Sequence, residues 1–296
     1  MKSKGRSIFI TVCVVPAMLL YLLFMVYPAI SIFTMSLFKW GGLSANKKFV
    51  GLNNFKFLLE DRYFLRAFQN SVFLIVFVTI FTIVFAIFFA SVLSRENLKG
   101  QNFFRIIFYI PNILSISVVA SIFSAIYEPQ KGLLNGFFRL FYADTWTNIQ
   151  FTGSRQLVIY SIAFALIWQA IGYYMVMYMS TMSQIPKQLY EPSDLDGAGR
   201  IRQFFDVTLP LSWDTVRTTL TFYVISNINI SFQLVTIMTQ GGPDGASHVF
   251  LSYMYNQAYT NSSYGYGLAI GVVVFVFALG LSAVINRITK RDIIQY

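Results

Sequence analysis

The sequence is poor in the groups that do chemistry. It has one cysteine, Cys13, so no disulfide can form within the chain. It has one histidine, His248, so no His/Cys set at zinc-ligand spacing exists. A Ser-His-Asp arrangement would have to rest on that single histidine, and no nucleophile elbow or H-E-x-x-H segment is present. There is no G-x-x-x-x-G-K-S/T segment to cradle a nucleotide. Charged residues make up only 11% of 296 residues, too few to cover a soluble domain of that size. No Asp or Glu lies in any of the long apolar runs, and no Lys, Arg or His lies deep in one. Carriers driven by protons or sodium usually keep an ionisable group there, so the absence argues against that class.

What is present is apolar. Hydrophobic residues reach 56%, phenylalanine occurs 31 times, and the mean hydropathy is +0.61. Six runs are long enough to cross a bilayer, at about 8–33, 68–94, 106–127, 157–183, 215–239 and 265–285, interrupted only by Arg217 near the start of the fifth. Backbone polar groups in lipid must be satisfied within the segment, which predicts helices. The expected fold is an all-α polytopic membrane protein with six transmembrane helices in a single transmembrane domain, 1–296. The opening "MKSKGR" resembles the basic region of a signal peptide, but the uncharged run after it extends to Phe38, too long for a signal core. It reads as a retained first span. The net charge of +10 reads as basic loops beside an anionic membrane face, not as a nucleic-acid surface. Lys2, Lys4, Arg6, Arg95, Lys99, Arg105, Lys187, Arg200, Arg202, Arg287, Lys290 and Arg291 fall on one side and nine cations on the other, most of them in 39–66; the short basic segments weigh most and predict both ends inside.

Polar residues within the runs are patterned. Ser226, Asn229, Gln233, Thr236 and Gln240 recur at spacings of 3, 4, 3 and 4, and Thr219 and Thr215 extend the stripe backwards. Such spacing places them on one helical face. Two readings fit: a polar pathway for a hydroxyl-rich cargo, or hydrogen bonding between helices. The fourth run adds Trp168, Gln169, Tyr173, Tyr174 and Tyr178. Amides and aromatic faces suit sugar hydroxyls and rings, whereas Tyr178 reads as packing. "GLAIG" (Gly267–Gly271) permits close approach of a neighbouring helix, in this chain or another.

The polar loop 184–212 is expected to be cytoplasmic. It contains "YEPSDLDGAGRIRQFFDVTLP", in which Glu191, Asp194, Asp196 and Asp206 stand against Lys187, Arg200 and Arg202. Acidic residues suit the first turn of a helix, and Gly197 and Gly199 suit its end. A short surface helix here would present Glu191, Asp194 and Asp196 to a cytosolic partner. Leu209-Pro210 then resets the chain.

This loop resembles the cytoplasmic motif of ABC-importer permeases, E-A-A-x-x-x-G with a hydrophobic-x-Leu-Pro ending. Glu191, Asp196, Gly197, Ala198, Phe204, Val207, Leu209 and Pro210 match it, while Pro192 and Ser193 replace the usual alanines. "FVGLNNFKFLLEDRYFLRAFQNS", "YIPNILS", "GLLN", "IPKQLYE" and "TQGGPDGASHVFLSYMYNQAY" are similar to the maltose-type carbohydrate importers, and Gly-Gly-Pro to the first of their two permeases. The resemblance implies a type I importer architecture in a bacterial cell membrane. It also implies a second, different permease, two ATPase subunits that bind ATP and magnesium, an extracellular solute-binding protein and a sugar cargo. This chain would hold no cofactor or metal itself. Glu191, Asp194, Asp196, Gly197, Ala198, Leu209 and Pro210 would couple to the ATPases. Asn112, Gln169, Tyr173, Asn229, Ser231 and Gln233 would line the pathway, Asn112 following a proline able to break the third helix. A glycerol phosphate ester is an alternative cargo. A secondary carrier or a scaffold is the alternative of another class.

Overall fold

The computed structural model describes residues 2–42, 46–94, 98–142 and 146–290, without the side chains of 2–4 and 6–8. Arg95 and Arg291, and the side chains of Lys2, Lys4 and Arg6, lie outside the described parts. The first apolar run is helical throughout: α1 (Lys2–Tyr21) passes through a π turn into α2 (Tyr27–Met35). A two-stranded hairpin, β1 (Phe38–Lys39) and β2 (Lys48–Phe49), and α3 (Asn53–Glu60) lead to α4 (Arg62–Leu93). Next come α5 (Gln101–Ile113), α6 (Ile116–Ile126), α7 (Leu133–Tyr142) and α8 (Val158–Ser183). The loop carries α9 (Glu191–Leu195), α10 (Arg200–Gln203) and α11 (Leu209–Leu211), then α12 (Trp213–Met238), α13 (Phe250–Tyr255) and α14 (Tyr264–Ile288) follow.

Among the described residues, five stretches are long and apolar enough to cross a membrane: Phe9–Met35, Arg62–Leu93, Val158–Ser183, Trp213–Met238 and Tyr264–Ile288. The third apolar run is not one straight helix. It divides into α5 and α6, which meet at 100°. The break falls at Leu114 and Ser115, both extended, with the Ser115 hydroxyl accepting from Val118 N to restart the helix. Pro111, the residue that suggested a break, sits inside α5, three residues upstream. Hydropathy reports length in the bilayer and carries no information on straightness, so the bend was invisible to it.

The described residues form two compact units. In the first, which includes Met1–Asp61 and Met254–Phe277, Phe38 pairs with Phe49 and Lys39 with Lys48. Asn54 ties the hairpin down, its Nδ2 donating to Ser36 O at 2.7 Å and Phe38 O at 3.1 Å. Tyr266 donates to Asp61 Oδ2 at 2.6 Å. The small-residue face of the last helix meets its own chain: a methyl group added at Gly267 would lie 3.0 Å from Ala258 Cβ, and one at Gly271 3.3 Å from Met254 Sδ.

The second unit contains Arg62–Tyr253. Its core joins Leu74 and Val78 of α4, Val119 of α6, Ile162, Leu166 and Met175 of α8, and Leu234 and Val235 of α12. Polar pairs lie between these apolar layers. Tyr178 bonds Thr219 at 2.7 Å, Thr181 bonds Thr215 at 3.0 Å, and Thr82 bonds Tyr223 at 3.1 Å. Inside a bilayer such bonds stabilise by about 0.6 kcal/mol each on average. α5 rests on α8 at Gly172, where any Cβ would fall 1.7 Å from the Phe108 carbonyl oxygen. Only glycine permits that backbone-to-backbone approach.

Candidate functional site

The acidic loop is built as a short helix with a defined stop. Pro192 occupies the first turn of α9, where its missing N–H removes no helical bond. The departure from the usual two alanines therefore leaves a helix that begins at Glu191. Its end is a Schellman motif: Ala198 N donates to Ser193 O at 2.9 Å and Gly197 N to Asp194 O at 3.0 Å. Gly197 has φ +67°, and nothing lies within 4 Å of a Cβ added there. Across the loop, Tyr190 bonds Thr208 at 2.9 Å, and Gln203 donates to Asp194 Oδ1 at 2.5 Å. Arg202 and Asp206 form an exposed pair one turn apart at 3.2 Å, a contact of little energetic weight. Glu191, Asp194, Asp196 and Gly197 are exposed, Ala198, Leu209 and Pro210 half-buried.

Three residues that sequence reasoning passed over stand out on this loop. Leu195 is 89%, Ile201 75% and Phe205 60% exposed. Together with the charged residues around them they form an exposed apolar patch on the loop. The available signal was their apolar character within an otherwise polar segment.

The polar stripe of α12 splits in two. Its Thr215 and Thr219 end turns inward and bonds to α8 through Thr181 and Tyr178. Farther along, Ser226 and Thr236 donate to their own backbone, to Phe222 O and Phe232 O. Asn229 and Gln233 are exposed on the same face, whereas Gln240, expected to extend the stripe, lies beyond the end of α12 in a turn at φ +51°. Amides on a spanning helix are costly in lipid, so this face requires protein or water beside it. Ser231 is on the other side of α12, buried, with its hydroxyl on Ile228 O at 3.2 Å. On α8, Gln169 is buried and Tyr173 is 40% exposed. Asn112 is half-buried in the last turn of α5, just ahead of the break. Asn229 and Gln233 thus share one open face, whereas Ser231 does not join it.

At the far end of α12 the chain folds back tightly. Asn70 Nδ2 donates to Ala246 O at 2.8 Å and His248 O at 2.9 Å, and Phe250 N donates to Ser71 Oγ at 2.8 Å. Arg155 pairs with Asp244 at the exposed edge. His248 Nδ1 lies 3.0 Å from Ser252 Oγ, and its ring fills the space beside Gly241, at φ +87°. Burial lowers the pKa of His248. Protonation is thus easier in the opened loop, and the sign follows. Above the ordinary histidine value, about 6.5, the closed loop bears no penalty; as pH falls through it the loop loses stability. Hydrogen exchange over 239–253, corrected for intrinsic rates, is expected to be faster at pH 5.5 than at 7.5, and His248→Asn to remove the difference. Equal protection of the wild type at both pH values would contradict this.

Long apolar helices joined by polar loops define an integral membrane protein with several spans. Among the described residues no group of three or more His, Cys, Asp or Glu is placed to hold a metal. The family model for binding-protein-dependent transport system inner membrane components matches residues 82–291, and the chain belongs to that family. It is 34% identical over 269 residues to a probable ABC transporter permease, YurN, of Bacillus subtilis strain 168, covering 90% of this chain and 91% of the relative. It is 27% identical to NgcF, a permease of the diacetylchitobiose uptake system of Streptomyces coelicolor, over 84% of this chain and 74% of that one. Its fold matches a chain of a bacterial ABC transporter that imports alginate, with TM-score 0.84, 21% identity and 97% of both chains covered. The protein is therefore a permease of the ABC-importer kind, a membrane-embedded transport subunit.

Proposed function

We propose that this chain forms half of the translocation pathway for a sugar or oligosaccharide. A second, different permease supplies the other half, and an extracellular solute-binding protein delivers the cargo. Two ATPase subunits, which hold ATP and magnesium, bind the 190–210 loop. Six spans place both chain ends and this loop in the cytoplasm. Glu191, Asp194, Asp196, Gly197, Ala198, Leu209 and Pro210 form the coupling element, with Leu195, Ile201 and Phe205 as its apolar contacts. Asn112, Gln169, Tyr173, Asn229 and Gln233 contact cargo, and the inward-turned Ser231 supports α12.

The observation that carries this reading is the open face of α12. Asn229 and Gln233 are exposed within a span and carry no charge, which suits neutral hydroxyl groups. The diacetylchitobiose relative supports a sugar cargo. A phosphate ester is the second reading, supported by a relative named for sn-glycerol-3-phosphate transport in Escherichia coli, 27% identical over 95% of this chain. A phosphate would favour a cation on the pathway, and Arg217, the cation of α12, instead donates to Asn286 O at 3.5 Å.

Purification of the tagged chain from its native membrane, with mass spectrometry of what accompanies it, tests the assembly. An ATPase and a second permease are expected. In proteoliposomes carrying that complex and its binding protein, oligosaccharides are expected to stimulate ATP hydrolysis and glycerol phosphate esters to leave it unchanged. The reverse pattern would move the assignment to phosphate esters, and recovery of the chain alone from several mild detergents would sink the importer assembly.

A further inference from the structure

The segment between α6 and α8 holds none of the residues proposed for the pathway or for coupling. α7 sends Leu133, Phe137, Leu140 and Phe141 to one side, at spacings that keep them on a single helical face. They are 72%, 54%, 82% and 70% exposed. The opposite side is firmly held. Asn135 is fully buried; its Nδ2 donates to Ile149 O at 3.0 Å, and its Oδ1 accepts from Ile149 N at 3.0 Å and Trp146 Nε1 at 3.2 Å. Phe138 stacks on Trp146 with ring centres 4.6 Å apart. The rotation of α7 is thus fixed by a buried amide, and that rotation turns four large apolar side chains outward.

We infer that α7 is an interfacial helix whose outward face beds into the lipid of the adjacent membrane leaflet. Connectivity places it at a membrane boundary, between the end of α6 and the start of α8, at the opposite end of α8 from the acidic loop. The same end of α8 presents Tyr160 and Phe164, 54% and 60% exposed, so apolar surface of a spanning helix lies nearby in the chain. The flanking residues suit the headgroup layer: Tyr142 and Trp146 are the amphipathic aromatics enriched there, and exposed Lys131 and Arg139 supply positive charge for anionic lipid. Of the nearby acids, Glu128 is turned onto the backbone N–H of Lys131, and Asp144 lies outside the described residues. At ten residues, about 15 Å, α7 is too short to cross and long enough to lie flat.

The test uses the full chain with the subunits that co-purify with it. Cys13, which is exposed, is replaced by alanine, and single cysteines are placed at Phe137, Leu140, Phe141 and, as a water-facing control, Thr147. Each is labelled with bimane and reconstituted in mixed phosphatidylcholine and phosphatidylglycerol vesicles, with uptake checked before labelling. Lipids brominated near the carbonyl end of the acyl chain are expected to reduce emission at least twofold at 137, 140 and 141, where iodide has little effect, with the reverse at 147. Free quenching of 137, 140 and 141 by iodide would overturn the inference, because the face would be in water. Shielding from both quenchers would overturn it as well, because a protein would then cover the face.

Discussion

Gly197→Asp is expected to abolish uptake while the chain still inserts and accumulates. Gly197 holds φ +67° at the end of α9, a conformation that costs most residues roughly 1–2 kcal/mol and aspartate and asparagine less, so the added charge carries most of the expected effect. An added Cβ meets nothing within 4 Å, so the spans are not strained. The damage is confined to the loop: the Schellman closure weakens, and a fourth carboxylate joins Glu191, Asp194 and Asp196 on the surface proposed to enter the ATPase. About 2 kcal/mol lost at that contact lowers its population more than tenfold. Asparagine tolerates positive φ as aspartate does and adds no charge, so Gly197→Asn is expected to retain partial uptake. Transport in proteoliposomes and co-purification of the ATPase provide the readouts. Normal uptake by Gly197→Asp would remove the loop from the coupling path.

Gly172→Ala is expected to damage the fold itself. Its methyl group would sit 1.7 Å from Phe108 O and 2.4 Å from Phe108 C, both backbone atoms with no rotamer to escape into. Overpacking of this kind costs about 1–3 kcal/mol even where side chains can yield. At about 2–4 °C per kcal/mol for a chain of this size, the unfolding midpoint in detergent should fall by several degrees. Gly172→Leu should prevent accumulation altogether. The seam also bears on the pathway, because Asn112 is one turn beyond Phe108 and Gln169 one turn before Gly172. A wild-type midpoint for Gly172→Ala would mean that α5 is free to move off α8.

These two glycines also show where sequence reasoning reaches and where it stops. Gly197 was legible because a helix end is a local event: the acidic first turn at Glu191 and the glycine that stops the helix stand close together in the chain. The Schellman bonds through Ala198 and Gly197 are what that pattern predicts. Gly172 was not legible, because its meaning lies in Phe108, on a different helix. The same distinction explains the α12 stripe. Its spacing placed Thr215 through Gln240 on one face, but which part of that face another helix covers is a tertiary fact, and α8 covers only the threonine end. Spacing does separate Ser231 from the stripe: two residues from both Asn229 and Gln233, it falls on the opposite side of the helix, where it is buried. GLAIG announced a close neighbour without saying that it would be Met254 and Ala258 of the same chain.

The 100° turn between α5 and α6 bears on how often the chain changes sides. The five unbroken spanning helices are an odd number, and alone they would leave the two chain ends on opposite faces. Yet both ends are basic, with Lys2, Lys4 and Arg6 at one and Arg287, Lys290 and Arg291 at the other, and basic flanks favour the same, cytoplasmic face. Neither half of the bent pair, at 13 and 11 residues, is long enough to cross the hydrocarbon layer unaided. In the six-span reading proposed above, the pair crosses jointly and restores even parity. The orientation of everything downstream, including the face on which the acidic loop emerges, then hinges on a bend at two residues, Leu114 and Ser115.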